Sequence, residues 1–355
     1  MSASWILTGN MIIARQRHTA IGLHDGRVLV AGGLTANNET TATAELYDPV
    51  TGNWSQTSNM SSPRSRQTAT LLNDGKVLVA GGRSQSDVSL ASAEVYDPAT
   101  GRWSPIGSMS LPRDQHTATL LQDGRVLVAG GVSFVGPQHD IEKSVEIYDP
   151  GAGVWNLTDH MANVRFGHRA TLLPDRRVLV TGGSNNAGVD CGSSTSSEIY
   201  DSGSARWAFA ASMNTARGFH PAVQLSDGRV LVAGGFTPPP DCNTATAVTE
   251  IYDSKMGKWA ITGSMVYPRG AMHPCALLAN GTVLVAGGKI QTDSTFSKTE
   301  TTELYDPITG TWRLTASMSS VRTGHSLTIL SDGRVLTTGG RDNANTLSTA
   351  EVFTL

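Results

Sequence analysis

The sequence predicts an all-β fold built from seven copies of a four-stranded antiparallel unit. Three observations predict it: a glycine pair recurs every 49 to 53 residues, a turn dipeptide and a β-branched run precede each pair, and tyrosine and tryptophan follow. A period of this length is typical of repeat architectures in which each repeat is one small sheet. The glycine pairs lie at 32/33, 81/82, 130/131, 182/183, 234/235, 287/288 and 339/340.

The first two strands of each unit are predicted by a hairpin signal. In the first unit, Asp25-Gly26 separates two apolar runs. Asp-Gly favours a two-residue turn because both turn residues must accept a positive φ. Five other units carry Asp-Gly or Asn-Gly at this place, whereas the fourth has Asp175-Arg176.

The third and fourth strands follow the glycine pair. The run AELYDP at 44–49 predicts a third strand, and the segment centred on Trp54 predicts a fourth. Asp-Pro between them is typical of a turn. The unit is therefore expected to be a four-stranded antiparallel sheet.

The chain ends indicate how the seven units close. Trp5 precedes the first glycine pair, and the chain stops after the last third-strand motif, AEVFTL at 350–355. Seven complete units result only if the segment around Trp5 supplies the fourth strand of the C-terminal unit. Such pairing of the two ends removes exposed sheet edges.

A repeat near 50 residues with a double glycine, then tyrosine, then tryptophan resembles the kelch motif, and the resemblance covers essentially the whole chain. It implies a seven-bladed β-propeller, closed by the N-terminal strand around Trp5. We expect one domain over residues 1–355, with no second domain or linker.

Composition excludes several classes of partner. The formal net charge is −3, so no basic field for nucleic acid is expected. No apolar run approaches the ~18 residues that a membrane span needs. The N-terminus lacks a signal-peptide pattern, which favours a cytoplasmic location, with a secreted form whose signal has been removed as the alternative. The protein is expected to be a monomer.

Arginine, glutamate and histidine recur once in nearly every blade, and we interpret all three sets as scaffold. Arginines and glutamates are expected at the same end of each blade, where opposite charges can pair. A seven-fold ring of histidines is too wide for several of them to reach one metal ion, so no metal is expected. The sets are Arg15, Arg64, Arg113, Arg165, Arg217, Arg269 and Arg322; Glu45, Glu94, Glu146, Glu198, Glu250, Glu303 and Glu351; and His18, His116, His168, His220, His273 and His325.

Function is expected where the seven-fold pattern fails. The loop from the glycine pair to the third-strand glutamate has 14 residues in blades three to six, against 10 or 11 elsewhere. Aromatic residues outside the repeat are confined to the same blades and their junctions. Those on the face with the variable loops are Phe134, Phe166, Phe219, Phe236, Tyr267 and Phe296, while Phe209 lies in an outer strand.

Clustered aromatics in surface loops are typical of binding sites. We therefore expect a pocket on this face, lined by these six aromatics and His139, for a small molecule, a glycan or a peptide. The alternative is that the aromatics pack under their own loops and cap the channel.

A second function class uses the same pocket. The resemblance to the kelch family implies that this fold can support acid–base chemistry without a cofactor, as in kelch sialic acid epimerases, which usually have six blades. Tyr267 or His139 would then be the acid or base of an isomerase, cyclase or lyase. Arg165, Arg217 or Arg269, if incompletely paired, would hold a substrate carboxylate. Neither function needs a cofactor.

The pattern M-x-x-x-R-x-x-H…DGRVLVAGG is also similar to galactose oxidase-like copper radical oxidases. Their copper-site tyrosines correspond to the residues before His220 and His273, which here are Phe219 and Met272. A copper oxidase is therefore not expected.

The cysteines leave one question open. Cys191 and Cys242 lie eight and seven residues after the glycine pairs of neighbouring blades. They either bridge two loops of the variable face or remain separate thiols, since a cytosolic setting opposes a disulfide. Cys275, in a first strand, is expected to be a buried thiol.

Overall fold

A computed structural model describes residues 3–135, 138–185, 192–238, 244–270, 273–292 and 295–355. These residues form seven four-stranded antiparallel sheets and no helix. Accordingly, no helix of the described part has the length and apolarity to cross a membrane. The sheets are the blades of a β-propeller, as predicted.

The strands of the blades occupy equivalent places in each repeat. The first strands are Thr19–Gly22, Thr68–Leu71, Thr117–Leu120, Arg169–Leu172, Ala222–Gln224, Cys275–Leu277 and Ser326–Ile329. The second strands are Val28–Ala31, Val77–Ala80, Val126–Ala129, Val178–Thr181, Val230–Ala233, Val283–Ala286 and Val335–Thr338. The third strands are Ala44–Asp48, Ala93–Asp97, Val145–Asp149, Ser197–Asp201, Thr249–Asp253, Thr302–Asp306 and Ala350–Thr354. The fourth strands are Asn53–Gln56, Arg102–Ile106, Val154–Leu157, Arg206–Ala210, Lys258–Thr262, Thr311–Thr315 and Ser4–Leu7.

The first strands line the central channel. Each contacts the first strands of both neighbouring blades, so the seven form a closed inner ring. Closure occurs in blade seven, where Ser4–Leu7 pairs antiparallel with Ala350–Thr354. Trp5 lies opposite Phe353, with ring centroids 5.1 Å apart. The predicted pairing of the chain ends is confirmed.

The hydrophobic core lies between adjacent blades. Leu29 and Ala31 of blade one pack with Val77, Val79 and Tyr96 of blade two in one buried cluster. Second strands are buried on both faces, which explains why they read as continuous apolar runs. Contact between blades therefore supplies most of the buried apolar surface.

The first glycine of each pair makes room for the next blade. A β-carbon on Gly81 would lie 2.7 Å from Cε1 of His116, and Gly81 has a φ of 62°. A side chain there would clash and would strain the backbone. The recurrent histidine is thus a packing residue between blades.

The long loops of blades three, five and six fold into short hairpins at the end of the channel where the first strands begin. Their strands are Val132–Val135 with Gln138–Ile141, Phe236–Thr237 with Thr244–Ala245, and Lys289–Thr292 with Thr295–Lys298. This end of the channel is the variable face.

Candidate functional site at the channel mouth

In each blade one residue directly precedes the recurrent histidine, or Gln67 in blade two, at the variable end of the channel. We call six of these residues the mouth ring. Neighbours are joined by backbone hydrogen bonds: Arg17 N–H donates to Gly324 O at 2.8 Å, and Phe219 N–H to Gly167 O at 2.7 Å. The members and their φ angles are Arg17 (55°), Arg66 (57°), Gln115 (54°), Gly167 (60°), Phe219 (58°) and Gly324 (66°).

Four members of the mouth ring have side chains although their backbone is left-handed. This conformation costs a non-glycine residue about 1–2 kcal/mol. Strain of this kind clusters at functional sites, where it aims a side chain. At this ring it turns Arg17, Arg66, Gln115 and Phe219 toward a shared cavity.

The cavity at the channel mouth has a volume of about 400 Å³. All six mouth-ring residues line it, together with His18, His116, Arg169, Phe236 and His325. A larger cleft of about 590 Å³ lies at the opposite end of the blades, near Asp175 and Asp227. Its aspartates and turn residues recur around the propeller, so that cleft belongs to the scaffold.

One wall of the cavity is aromatic. Four phenylalanines from blades four to six form a continuous edge-to-face row, with centroid separations of 5.7, 6.4 and 5.7 Å. Edge-to-face geometry is favourable for aromatic rings at such distances. Phe219 and Phe236 line the cavity, and their rings lie over Gly167 and Gly270, where a β-carbon would clash. The row comprises Phe166, Phe219, Phe236 and Phe296.

The opposite wall is cationic. Burial, followed by the charges of the neighbouring guanidinium groups of Arg66 and Arg83, lowers the pKa of Arg17 to about 10. The buried carboxylate of Asp114 accepts a hydrogen bond from Arg83 Nε at 3.2 Å and lies 3.8 Å from Arg66 Nη1. Asp114 therefore offsets only part of the positive charge.

Phe134 and His139 form a separate edge-to-face pair on the blade-three hairpin. Their ring centroids are 4.4 Å apart, and the guanidinium carbon of Arg83 lies 3.7 Å from the centroid of Phe134. His139 is exposed, and neither ring is among the residues that line the cavity. Their predicted role as ligand contacts stays a prediction.

The predicted pairing of recurrent arginines with glutamates is confirmed in all seven blades. Each arginine donates to the glutamate of its own blade at 2.6–3.0 Å, and both side chains are buried. Arg165, Arg217 and Arg269 are thus bound to Glu198, Glu250 and Glu303. None of the three lines the cavity.

Tyr267, the remaining acid–base candidate, is half-buried in the loop before the blade-six inner strand. Its backbone N–H points to Glu303 Oε1 at 3.4 Å. It does not line the cavity either.

The recurrent histidines lie just before the inner strands, and we call them the inner histidines. They are neutral packing groups. Burial, followed by the charge of the nearby arginine, lowers the pKa of His18, His116, His273 and His325 to about 3. The same causes place the pKa of His168 and His220 well below the ordinary value. These histidines are therefore uncharged at neutral pH.

Four residues that line the cavity were not predicted as site residues from the sequence: Arg17, Arg66, Gln115 and Arg169. For Arg17, Arg66 and Gln115 the signal is that the position before the histidine is glycine in blades four and seven, and for Arg169 it is that the position after the histidine is threonine, serine or proline in the other blades.

Cys191, Cys242 and Met272 lie outside the described residues, so the proposed bridge stays a prediction. Cys275 is a free cysteine, and burial raises the pKa of its thiol to about 12. It is protonated at neutral pH.

Comparison with known families agrees with this architecture. The KLHDC2/KLHL20/DRC7 Kelch-repeats domain model matches residues 3–183. The chain belongs to this Kelch-repeats family. No curated protein matches the sequence.

Among solved structures, the Kelch-repeat chain is similar to a novel fungal alcohol oxidase of the AA5 family in complex with copper. The TM-score is 0.77 at 19% identity, and the match covers 100% of this chain and 76% of that one. At this identity the likeness shows the fold alone. Membership in a Kelch-repeats family indicates a binding or scaffold role.

The side chains near the mouth do not fit a copper ion. Phe219 offers no oxygen ligand, and the ring of the neighbouring His220 is held by Thr181 Oγ1 at 3.1 Å. Across the described residues, no group of three or more His, Cys, Asp or Glu side chains could hold a metal.

Proposed function

We propose that this Kelch-repeat propeller is a binding protein that takes a small organic molecule in the channel-mouth cavity. One observation carries the proposal: a left-handed backbone ring aims Phe219 and three polar side chains into one cavity of about 400 Å³. That volume falls in the ordinary range of small-molecule sites, roughly 300–1,000 Å³.

The phenylalanine row supports an aromatic or aliphatic ligand body. Phe219 and Phe236 are half-buried, so each presents ring surface to the cavity. Covering such surface gains about 25 cal/mol per Å². A glycan, which presents mainly hydroxyl groups, fits the polar side of the cavity but gains less from this wall.

Binding is favoured over acid–base catalysis by the groups that line the cavity. General acid–base catalysis works best with a group whose pKa lies near the working pH. The lining histidines, His18, His116 and His325, have pKa values lowered to about 3. Tyr267 and His139 do not line the cavity.

The test is ligand-observed NMR with phenylacetamide and a panel of other small aromatic molecules. The native protein should bind members of the panel, and Phe236→Ala should weaken that binding at least about tenfold, because the aromatic wall loses ring area. Phe236 has no positive φ, so its replacement leaves the strained ring intact.

The matched control is Phe209→Ala. Phe209 lies in the outer strand of blade four and is 71% exposed, so its removal should leave affinity unchanged. Equal affinity for the native protein and Phe236→Ala would contradict the proposal. Binding of extended peptides only would move the function to a macromolecular partner.

A further inference from the structure

Arg169 departs from the repeat inside the channel. It is the first residue of the blade-four inner strand, directly after His168. The same position holds small or cyclic residues in the other blades: Thr19, Thr68, Thr117, Pro221, Pro274 and Ser326. The scaffold therefore does not need a guanidinium group here.

A second substitution in blade four compensates for the missing hydroxyl at position 169. In blades two and three, the threonine at this position bonds the histidine of the next blade, as Thr117 Oγ1 does with His168 Nε2 at 3.0 Å. Arg169 cannot supply that hydroxyl. His220 bonds Thr181 Oγ1 instead, at 3.1 Å, where five other blades have alanine. The side chain of Arg169 is thereby left free of a scaffold role.

Arg169 has few partners among the described residues. Its Nη1 donates to the carbonyl of His168 at 3.1 Å, and no described carboxylate lies within ion-pair distance. Burial lowers the pKa of Arg169. A guanidinium has five N–H donors, so most of this group's hydrogen-bonding capacity faces the cavity.

The part of the cavity that the structure describes is short of negative charge. Among the described residues, its lining contains Arg17, Arg66 and Arg169 but no aspartate or glutamate. Arg66 has Asp114 at 3.8 Å, whereas Arg17 Nε is buried without a hydrogen-bond partner in the described structure. Buried cations are normally paired, and a ligand oxyanion would pair these.

We propose that the ligand carries an oxyanion, a carboxylate or a phosphate, which binds Arg169 in the channel while the ligand's apolar body packs on Phe219 and Phe236. This inference rests on the proposed function. Arg17 lies on the opposite side of the mouth and adds attraction for the same group.

The test compares three probes of similar shape: phenylacetate, phenyl phosphate and neutral phenylacetamide. Dissociation constants are measured at low ionic strength, since salt screens the attraction. At least one anion should bind the native protein about tenfold or more tightly than the amide, because charge-assisted hydrogen bonds are the stronger ones. The tighter anion distinguishes a carboxylate site from a phosphate site.

Arg169→Thr carries the decisive result, because threonine occupies this position in three other blades and is compatible with the fold. It should remove most of the preference for the anion and leave amide affinity unchanged. Arg169→Gln, which keeps an N–H donor on a shorter, uncharged side chain, should behave similarly. Arg177→Gln, at an exposed ion pair with Asp175, is the control and should change neither affinity.

Two outcomes separate this inference from the proposed function. If native protein binds amide and anions equally, or if the preference survives Arg169→Thr, the oxyanion site is wrong while the cavity remains a binding site. If none of the three probes nor any other small aromatic molecule binds, the proposed function itself is wrong.

Discussion

Arg17, Arg66, Gln115 and Phe219 keep side chains at backbone positions that suit glycine. The equivalent residues Gly167 and Gly324 show that the scaffold accepts glycine there. Each of the four is thus a place where stability is reduced and a side chain is presented to the cavity.

Arg66→Gly should therefore stabilise the protein. Relief of the left-handed strain gains about 1–2 kcal/mol, and the greater freedom of glycine in the unfolded chain costs about 0.5–1 kcal/mol. Loss of the repulsion between Arg66 and Arg17 adds to the gain, and loss of the 3.8 Å ion pair with Asp114 offsets that addition. Urea unfolding should show a net increase of about 1 kcal/mol, and binding of phenylacetate should weaken.

Arg102→Gly is the matched control. Arg102 begins an outer strand, is exposed and has no positive φ. Its replacement should destabilise the protein by about 0.5–1 kcal/mol. A destabilised Arg66→Gly variant would show that the mouth ring is not strained.

At the scale of the element, each third strand is tied to the loop before the inner strand of its own blade. In blade three, Glu146 accepts hydrogen bonds from Arg113 Nη2 at 3.0 Å and from the backbone N–H of Ser110 at 2.7 Å. Arg113 Nη1 also donates to Gly130 O. The ion pair therefore fixes the loop that leads to Gln115 in the mouth ring.

Glu146→Gln should destabilise the protein by about 3–5 kcal/mol, because it leaves the buried charge of Arg113 unpaired. Asp123→Asn in the same blade removes the partner of Arg125, but that pair is exposed at 36% and 45%. Its loss should cost less than about 1 kcal/mol. Equal effects in chemical denaturation would mean that the buried pair does not organise the blade.

The elements were largely predictable because their signals are local. Asp25-Gly26 marks a turn from two adjacent residues, and the glycine pair marks the end of a strand. The mouth ring could not be predicted from the sequence. The direction of the Phe219 or Arg17 side chain depends on a left-handed φ that neighbouring blades impose through backbone hydrogen bonds. The phenylalanines of the aromatic row could be recognised in the sequence because they depart from the repeat. Which of them contact one another could not be predicted, because those contacts depend on how the blades pack.

At the scale of the whole molecule, closure of the propeller was predictable by counting strands, since Trp5 had no other blade to complete. The closed ring of seven blades places six neutral histidines between blades, where burial prevents their protonation. Gln67 fills the seventh place and donates to Ala31 O at 2.9 Å, so a neutral amide can replace the imidazole.

These histidines should make the protein sensitive to mild acid. The folded pKa is about 3 for four of these histidines and well below the ordinary value for the other two, whereas in the unfolded chain a histidine has a pKa of about 6.5. The unfolded state therefore binds more protons as pH falls through about 6.5, and stability is lost down to the folded pKa. At about pH 5.5 each histidine should cost about 1 kcal/mol relative to pH 7. Depressed aspartate pKa values, such as that of Asp123, act only at lower pH, near the ordinary aspartate value of about 4.

Chemical denaturation of native protein at about pH 7 and pH 5.5 measures this loss, and a double variant His168→Gln/His273→Gln assigns it. Both substitutions copy the residue that blade two carries, and His273 Nε2 already contacts Ala233 O, the counterpart of Ala31 O. The variant should lose about 2 kcal/mol less than native protein between the two pH values, because two fewer groups take up protons on unfolding. An identical loss in both proteins would mean that the inner histidines titrate normally and that the channel wall is open to water.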